Sequence, residues 1–296
     1  MNTYRNLDGF LEQIEEGILY HYTSATGLMG IIGNECLWVS KSNFLNDISE
    51  IDYINKLIIE IGKEMSLLSN ILDMIMKEKS YIEYGSNGDV NEQNYYIFSL
   101  TTNGDSLTLW SSYSNFYGYN IGFEGTFLKE VFDNVPLSIH GKVIYNRDRQ
   151  RELIKNEMEK YRAEIDKYTN NQSDENLKEL KAGLNLLVVS LALFGIFFKD
   201  PCFSHEEEYR VVFFQHDITH EKARYNQKVL FRERNGTITP YIEVRPLTHN
   251  NKLPIKNITV GPKNNIDIAQ NGLEFFLAKK GYIGIPVIRS SIPLRF

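Results

Sequence analysis

A run of ionisable side chains, Glu206-Glu207-Glu208-Tyr209-Arg210, leads directly into the apolar stretch VVFF. Side chains alternate across a strand, so Glu206, Glu208 and Arg210 are expected on one face and Glu207, Tyr209 and Val211 on the other. Carboxylates carried into an apolar strand are costly to bury alone. They therefore either line a site or pair, and a Glu208–Arg210 ion pair at a sheet end is the structural alternative. Placed at a site, such carboxylates act as general base or stabilise a developing cation.

Three further segments offer polar groups. His21-Tyr22-Thr23-Ser24 joins the end of a strand to the start of a helix. Free N–H groups and hydroxyls there suit an anion or a sugar, although Ser24 could equally be a helix cap. Asn46-Asp47, with Glu50 three residues on, reads as a ligand contact or as a capping box. Trp110 and Tyr113, three apart on a helix, could stack a base or a nicotinamide ring, or belong to the core. His216-x-x-x-His220 has a zinc-like spacing, with His205 nearby, but it follows a strand in a turn-like run with no third ligand evident, and no metal is expected. Arg224, Lys228, Arg232 and Arg234 form the best local phosphate-contact stretch, the alternative being a solvated strand face. A glycine-rich phosphate loop and a G-x-S-x-G elbow are both lacking.

The elements that must position these groups follow from periodicity. Strands are expected at 18–22, 36–40, 95–100, 119–123, 137–145, 207–214, 255–260 and 285–288. A hairpin is expected at 228–234 and 237–244, turning at Asn235-Gly236. Helices are expected at 7–16, from Ser24 to about 32, over one long stretch 48–84, and at 105–116, 147–168, 174–197 and 264–280. Strands and helices do not alternate cleanly, so the fold class is α+β: mixed, mainly antiparallel sheets with inserted helices, in one domain with a helical insertion at about 147–198.

Composition narrows the function. With 42% apolar residues the 296-residue chain can build a sizeable core, and a net charge of −6 disfavours a general nucleic-acid coat. Two cysteines, Cys36 and Cys202, make neither a disulfide framework nor a zinc site. The opening MNTYRNLDGFLEQIEEG is polar and acidic, without the apolar core of a signal peptide, so a cytoplasmic setting is expected. The apolar run Leu184 to Phe198 is shorter than the ~20 residues of a membrane span and is read as a buried helix, with no membrane partner.

The segments LYHYTSATGLMGII, LWVSKSNFLNDISE, YIFSLTTNGDSLTLWSSYSNFYGYNIGFE, HEEEYRVVF, ITVGPKNNIDIAQNGLEFFLAKKG and IRSSI together resemble the bacterial domain-of-unknown-function family 2971, with Ile48 where that family usually has Pro. A second likeness is similar to the opening of ADP-ribosyltransferase folds: a strand ending in His-Tyr-Thr, a helix, then a Leu-Trp-x-Ser strand, and later a Glu-x-Glu, here Glu206-x-Glu208. What this likeness implies is NAD as substrate, His21 on the adenosine ribose, Thr23 or Ser24 on the nicotinamide side, Trp110 or Tyr113 stacking, and Glu208 with Glu206 acting on the nicotinamide ribose. Tyr22, Ser40, Asn46, Asp47 and Arg210 join the substrate contacts. The expected activity is ADP-ribose transfer to protein or nucleic acid, or NAD hydrolysis, as in a toxin or phage-defence effector. The alternatives are a non-catalytic nucleotide-sensing or partner-binding protein and, third, a metal-dependent nuclease.

Overall fold

The computed structural model describes residues 9–14, 16–44, 49–84, 95–134, 138–214, 228–234, 236–245 and 252–294. The strands are β1 Ile18–Thr23, β2 Leu37–Lys41, β3 Tyr95–Thr101, β4 Tyr119–Glu124, β5 Ser138–Lys142, β6 Glu208–Phe214, β7 Leu230–Arg234, β8 Thr237–Val244, β9 Ile255–Val260 and β10 Val287–Arg289. The helices are α1 Ala25–Asn34, α2 Ser49–Glu64, α3 Ser69–Tyr84, α4 Leu107–Ser114, α5 Gly125–Asn134, α6 Arg147–Glu159, α7 Arg162–Asn170, α8 Asp174–Phe197 and α9 Ile266–Lys279. The class is α+β, with an open and mainly antiparallel sheet, as the scattered strand pattern implies.

The chain divides into two compact units. One comprises Met1–Phe10, Leu45–Asn94 and Val143–His205; the other comprises Leu11–Phe44, Tyr95–Lys142 and Glu206–Phe296.

The second unit carries all ten of the described strands. Their order is β10-β9-β4-β1-β3-β2-β8-β7, with β6 added to β3 and β5 to β6. Every pairing is antiparallel except β9 with β10. Alternation sends Leu37 and Val39, Tyr96, Phe98 and Leu100, and Tyr209, Val211 and Phe213 to one face, where they pack with Leu28, Ile31 and Ile32 of α1 and Leu273 and Leu277 of α9. The helix α1 runs two residues past the expected stop and ends at Glu35, which takes the left-handed conformation with φ 53. Gly30 is needed on this helix because the Trp38 indole lies where a Cβ would project. Residues 9–14 form a turn and an extended segment instead of the expected helix. There the Glu12 carbonyl accepts from Lys142 N on β5, which holds the segment extended.

The first unit is helical. The long helix expected over 48–84 is two helices, α2 and α3, broken where Ser66 adopts φ 58. Apolar spacing alone misses the break because both halves keep it: Ile54, Leu57, Ile58 and Ile61 of α2 and Ile71, Leu72 and Ile75 of α3 are all buried. The expected 147–168 helix likewise divides into α6 and α7. Asp174–Phe197 is 24 residues long, so length and composition alone would let it cross a membrane. Burial decides its place in the structure: Leu180, Leu184, Leu187, Val188, Leu191 and Phe194 enter the same core as α2 and α3.

Candidate functional site

Strand β3 is shared unevenly. One edge pairs with β6 along its whole length. The other edge pairs with β2 only at Tyr96 and Ile97, and with β1 at Thr101. Between these contacts β1 and β2 part, and residues 98–100 lack a ladder partner on that edge. His21 fills the gap: its Nδ1–H donates to the Ser99 carbonyl at 2.9 Å, and its ring stacks on Phe98 with centroids 4.5 Å apart. That bond fixes the tautomer and makes Nε2 an acceptor. Burial, together with the charges of Arg232 and Arg234, pushes the imidazole down from 6.5 to about 4, the Ser99 bond partly opposing. His21 is therefore neutral at pH 7.

The carboxylates lie at the start of β6. Alternation fails at this point. The strand begins at Glu208, Glu206 ends a short 3-10 turn, and Glu207 between them has φ 45. Three bonds hold the left-handed residue in place: Thr101 Oγ1 donates to the Glu206 carbonyl at 2.7 Å, Thr102 N to the Glu207 carbonyl at 3.3 Å, and Thr102 Oγ1 to Glu207 Oε2 at 2.6 Å. Strain of this kind persists where the surroundings over-determine it, and it clusters at functional sites. Glu206 and Glu208 are both buried. Arg210 donates in fork fashion to Glu208, Nε to Oε1 at 2.8 Å and Nη2 to Oε2 at 2.9 Å, so the ion-pair alternative forms, inside the protein. The Tyr113 hydroxyl donates to Glu206 Oε1 at 3.1 Å. Burial and then the negative charges of Glu206 and Glu208 push that phenol upward, so it stays protonated and a donor.

Arg232 and Arg234, adjacent in alternation on β7, complete the group. Nη2 of Arg232 donates to Ser40 Oγ at 2.7 Å, and its guanidinium lies 5.2 Å from the Trp38 ring centroid and 5.3 Å from that of Tyr241. Burial and the neighbouring Arg234 lower Arg232 to about 10, and burial lowers Arg234 as well, with Tyr113 close enough to oppose it. His21, Arg232, Arg234, Tyr113, Glu206 and Glu208 thus form a connected electrostatic group, drawn from four separate chain segments. The sequence offers these arginines as a phosphate-contact stretch or as a solvated strand face. The available signal was their i, i+2 spacing in a hairpin strand.

Residues 109–211 match the model of a family described as a protein of unknown function (DUF2971). The DUF2971 match runs from α4 into β6, so it contains Tyr113, Glu206, Glu208 and Arg210 and leaves out His21 and the arginine pair. No curated protein and no solved structure matches the chain. The likeness to ADP-ribosyltransferase folds therefore rests on the sequence segments alone.

The remaining sequence candidates fall elsewhere. Trp110 is fully buried, set edge-on to Tyr22 at 4.8 Å, and donates Nε1–H to Asp105 at 2.7 Å. An indole enclosed in this way has no face left for a ligand. The Tyr22 hydroxyl donates to the Asn103 carbonyl and accepts from Ser106 N, which ties it to the loop before α4. Thr23 is buried against Gly27. Ser24 caps α1 by accepting from Gly27 N at 3.1 Å. Asn46, Asp47, His216, His220 and Arg224 lie outside the described residues. Among the described residues no group of three or more His, Cys, Asp or Glu side chains is placed to hold a metal ion.

Proposed function

We propose that the sheet unit binds NAD and cleaves its nicotinamide–ribose bond, passing ADP-ribose to a protein or nucleic-acid acceptor or to water. One observation carries the reading: buried carboxylates and partly buried guanidinium groups belong to one electrostatic group linked through Tyr113, and the guanidinium groups act on a neutral imidazole. NAD has the matching pattern, a cationic pyridinium at one end and anionic phosphates in the middle. In this reading Glu206 and Glu208 face the nicotinamide ribose and His21 Nε2 accepts a ribose hydroxyl. Tyr113 both holds Glu206 and offers the ring wall.

The chemistry follows from these groups. The bond from C1′ to the nicotinamide nitrogen breaks, and its electron pair leaves with nicotinamide. The carboxylates stabilise the oxocarbenium-like centre that develops. An acceptor oxygen or nitrogen then bonds to C1′ and gives its proton to a carboxylate, and from there to solvent. A second reading draws on the closed Glu208–Arg210 fork: a guanidinium that neutralises Glu208 suits a nucleotide-binding protein without turnover.

NAD labelled in the adenylate decides between the two. The proposal expects nicotinamide release, with label on an acceptor or in free ADP-ribose, and a loss of about 10²–10³-fold in Glu208→Gln by analogy with removed electrostatic stabilisers. Binding of NAD without nicotinamide release, with lysate protein, RNA and DNA all present, would establish the second reading instead.

A further inference from the structure

We propose that Arg232 and Arg234 form a binding subsite for a phosphate group of a small-molecule ligand, best filled by a pyrophosphate linkage. The inference stands on the arginines alone and holds whether or not Glu206 and Glu208 perform chemistry.

The two guanidinium groups are unlike the other described arginines. Among the described residues, Arg147, Arg149, Arg151, Arg162, Arg210 and Arg245 each bond to a carboxylate. Arg289 is exposed. Arg232 and Arg234 are partly buried, and no carboxylate among the described residues bonds to either or raises its affinity for a proton. Glu233, between them, points to the opposite strand face and bonds Gly236 N at 2.5 Å. Two cations side by side in a partly dry setting repel each other, and burial raises the cost. A fold that keeps such a pair leaves a net charge for an anion to neutralise.

The directional evidence agrees. Nε of Arg232 is buried and has no hydrogen-bond partner. The Ser40 bond and the Trp38–Tyr241 floor hold this side chain in place, which leaves the Nε edge as an oriented donor. Arg232 and Arg234 are two residues apart on one strand, so their backbone origins stand about 6.6 Å apart. Two guanidinium groups at that separation suit the several oxygens of a phosphate or pyrophosphate, which accept paired N–H donors. Of the alternatives, a lone carboxylate supplies a single charge and two oxygens, fewer than the donors present.

Calorimetry of the full chain with sodium pyrophosphate in low-salt buffer tests the proposal, with adenosine as the phosphate-free control. Expected is saturable pyrophosphate binding that weakens as salt rises, and a loss of about tenfold or more in Arg234→Gln and in Arg232→Lys, since each removes charge-assisted donors. In phosphate-free buffer Arg234→Gln is expected to keep or raise its urea midpoint, because a repelled charge has gone. The proposal is overturned if pyrophosphate fails to bind wild-type protein at millimolar concentration, if both variants bind it equally well, or if Arg234→Gln is markedly destabilised without phosphate. Pyrophosphate binding without nicotinamide release from NAD would leave the subsite standing and refute only the transferase reading.

Discussion

Acid should unfold this protein partly through one side chain. His21 in the sheet split titrates at about 4, against 6.5 in an unfolded chain. Burial is the main cause, with Arg232 and Arg234 adding to it. Because the folded value is the lower one, the unfolded chain takes up the proton first. The stability contribution is therefore complete above pH 6.5 and lost as the pH falls toward 4. At about 1.36 kcal/mol per pH unit, the gap of about 2.5 units amounts to about 3 kcal/mol in all, and about 2 kcal/mol is lost by pH 5. Urea unfolding of wild-type and His21→Asn at pH 7.5 and pH 5.0 isolates the effect, since contributions from the other histidines cancel in the comparison. The wild-type protein should lose about 2 kcal/mol more than the variant over this range. Proton NMR of the His21 ring gives the folded value directly, and added pyrophosphate should raise it by neutralising the neighbouring arginines. A ring that protonates between pH 6 and 7, or an equal pH response in the variant, would refute the account of the split.

Further predictions concern the groups around that split and the helical unit. Arg210→Met leaves Glu208 buried without its fork and should cost about 3–5 kcal/mol in urea unfolding; a cost under about 1 kcal/mol would show that the pair is not held as a buried unit. Asp105 accepts from Trp110 Nε1, Ser290 Oγ, and both N and Oγ of Ser291. Asp105→Ala should destabilise by about 2 kcal/mol or more and speed proteolysis near Ser290, whereas unchanged cleavage would mean that this segment is held by other contacts. Leu187→Ala, on the buried side of α8, should cost about 2–5 kcal/mol. No change in its unfolding would count against the placing of α8 in a protein core.

Much of the fold was legible because patterning and packing agree. The hairpin of β7 and β8, the strands β3, β4 and β9, and the boundaries of α8 all follow from runs whose apolar period matches their burial. What was not legible depends on tertiary detail. The break between α2 and α3 sits at Ser66, where a positive φ interrupts two helices of the same period. Glu206 departs from strand alternation because Glu207 turns left-handed, and the threonines that hold it, Thr101 at the end of β3 and Thr102 just after it, are over a hundred residues away. The spacing of Trp110 and Tyr113 suits a stacking surface or the core, and only the tertiary contacts with Asp105 and Tyr22 place Trp110 in the core. Arg232 and Arg234 resemble an ordinary solvated strand face until β2 and β8 supply Ser40, Trp38 and Tyr241 beside Arg232. The carboxylate run itself was recognisable, including its alternative as an ion pair, because charges entering an apolar strand need partners whatever the fold.

Crystals of the chain soaked with NAD test the central claim most directly. The account predicts the pyrophosphate on Arg232 and Arg234, a ribose hydroxyl at His21 Nε2, and the nicotinamide ribose beside Glu206 and Glu208. A dinucleotide seated elsewhere, or no bound density at saturating NAD, would contradict it.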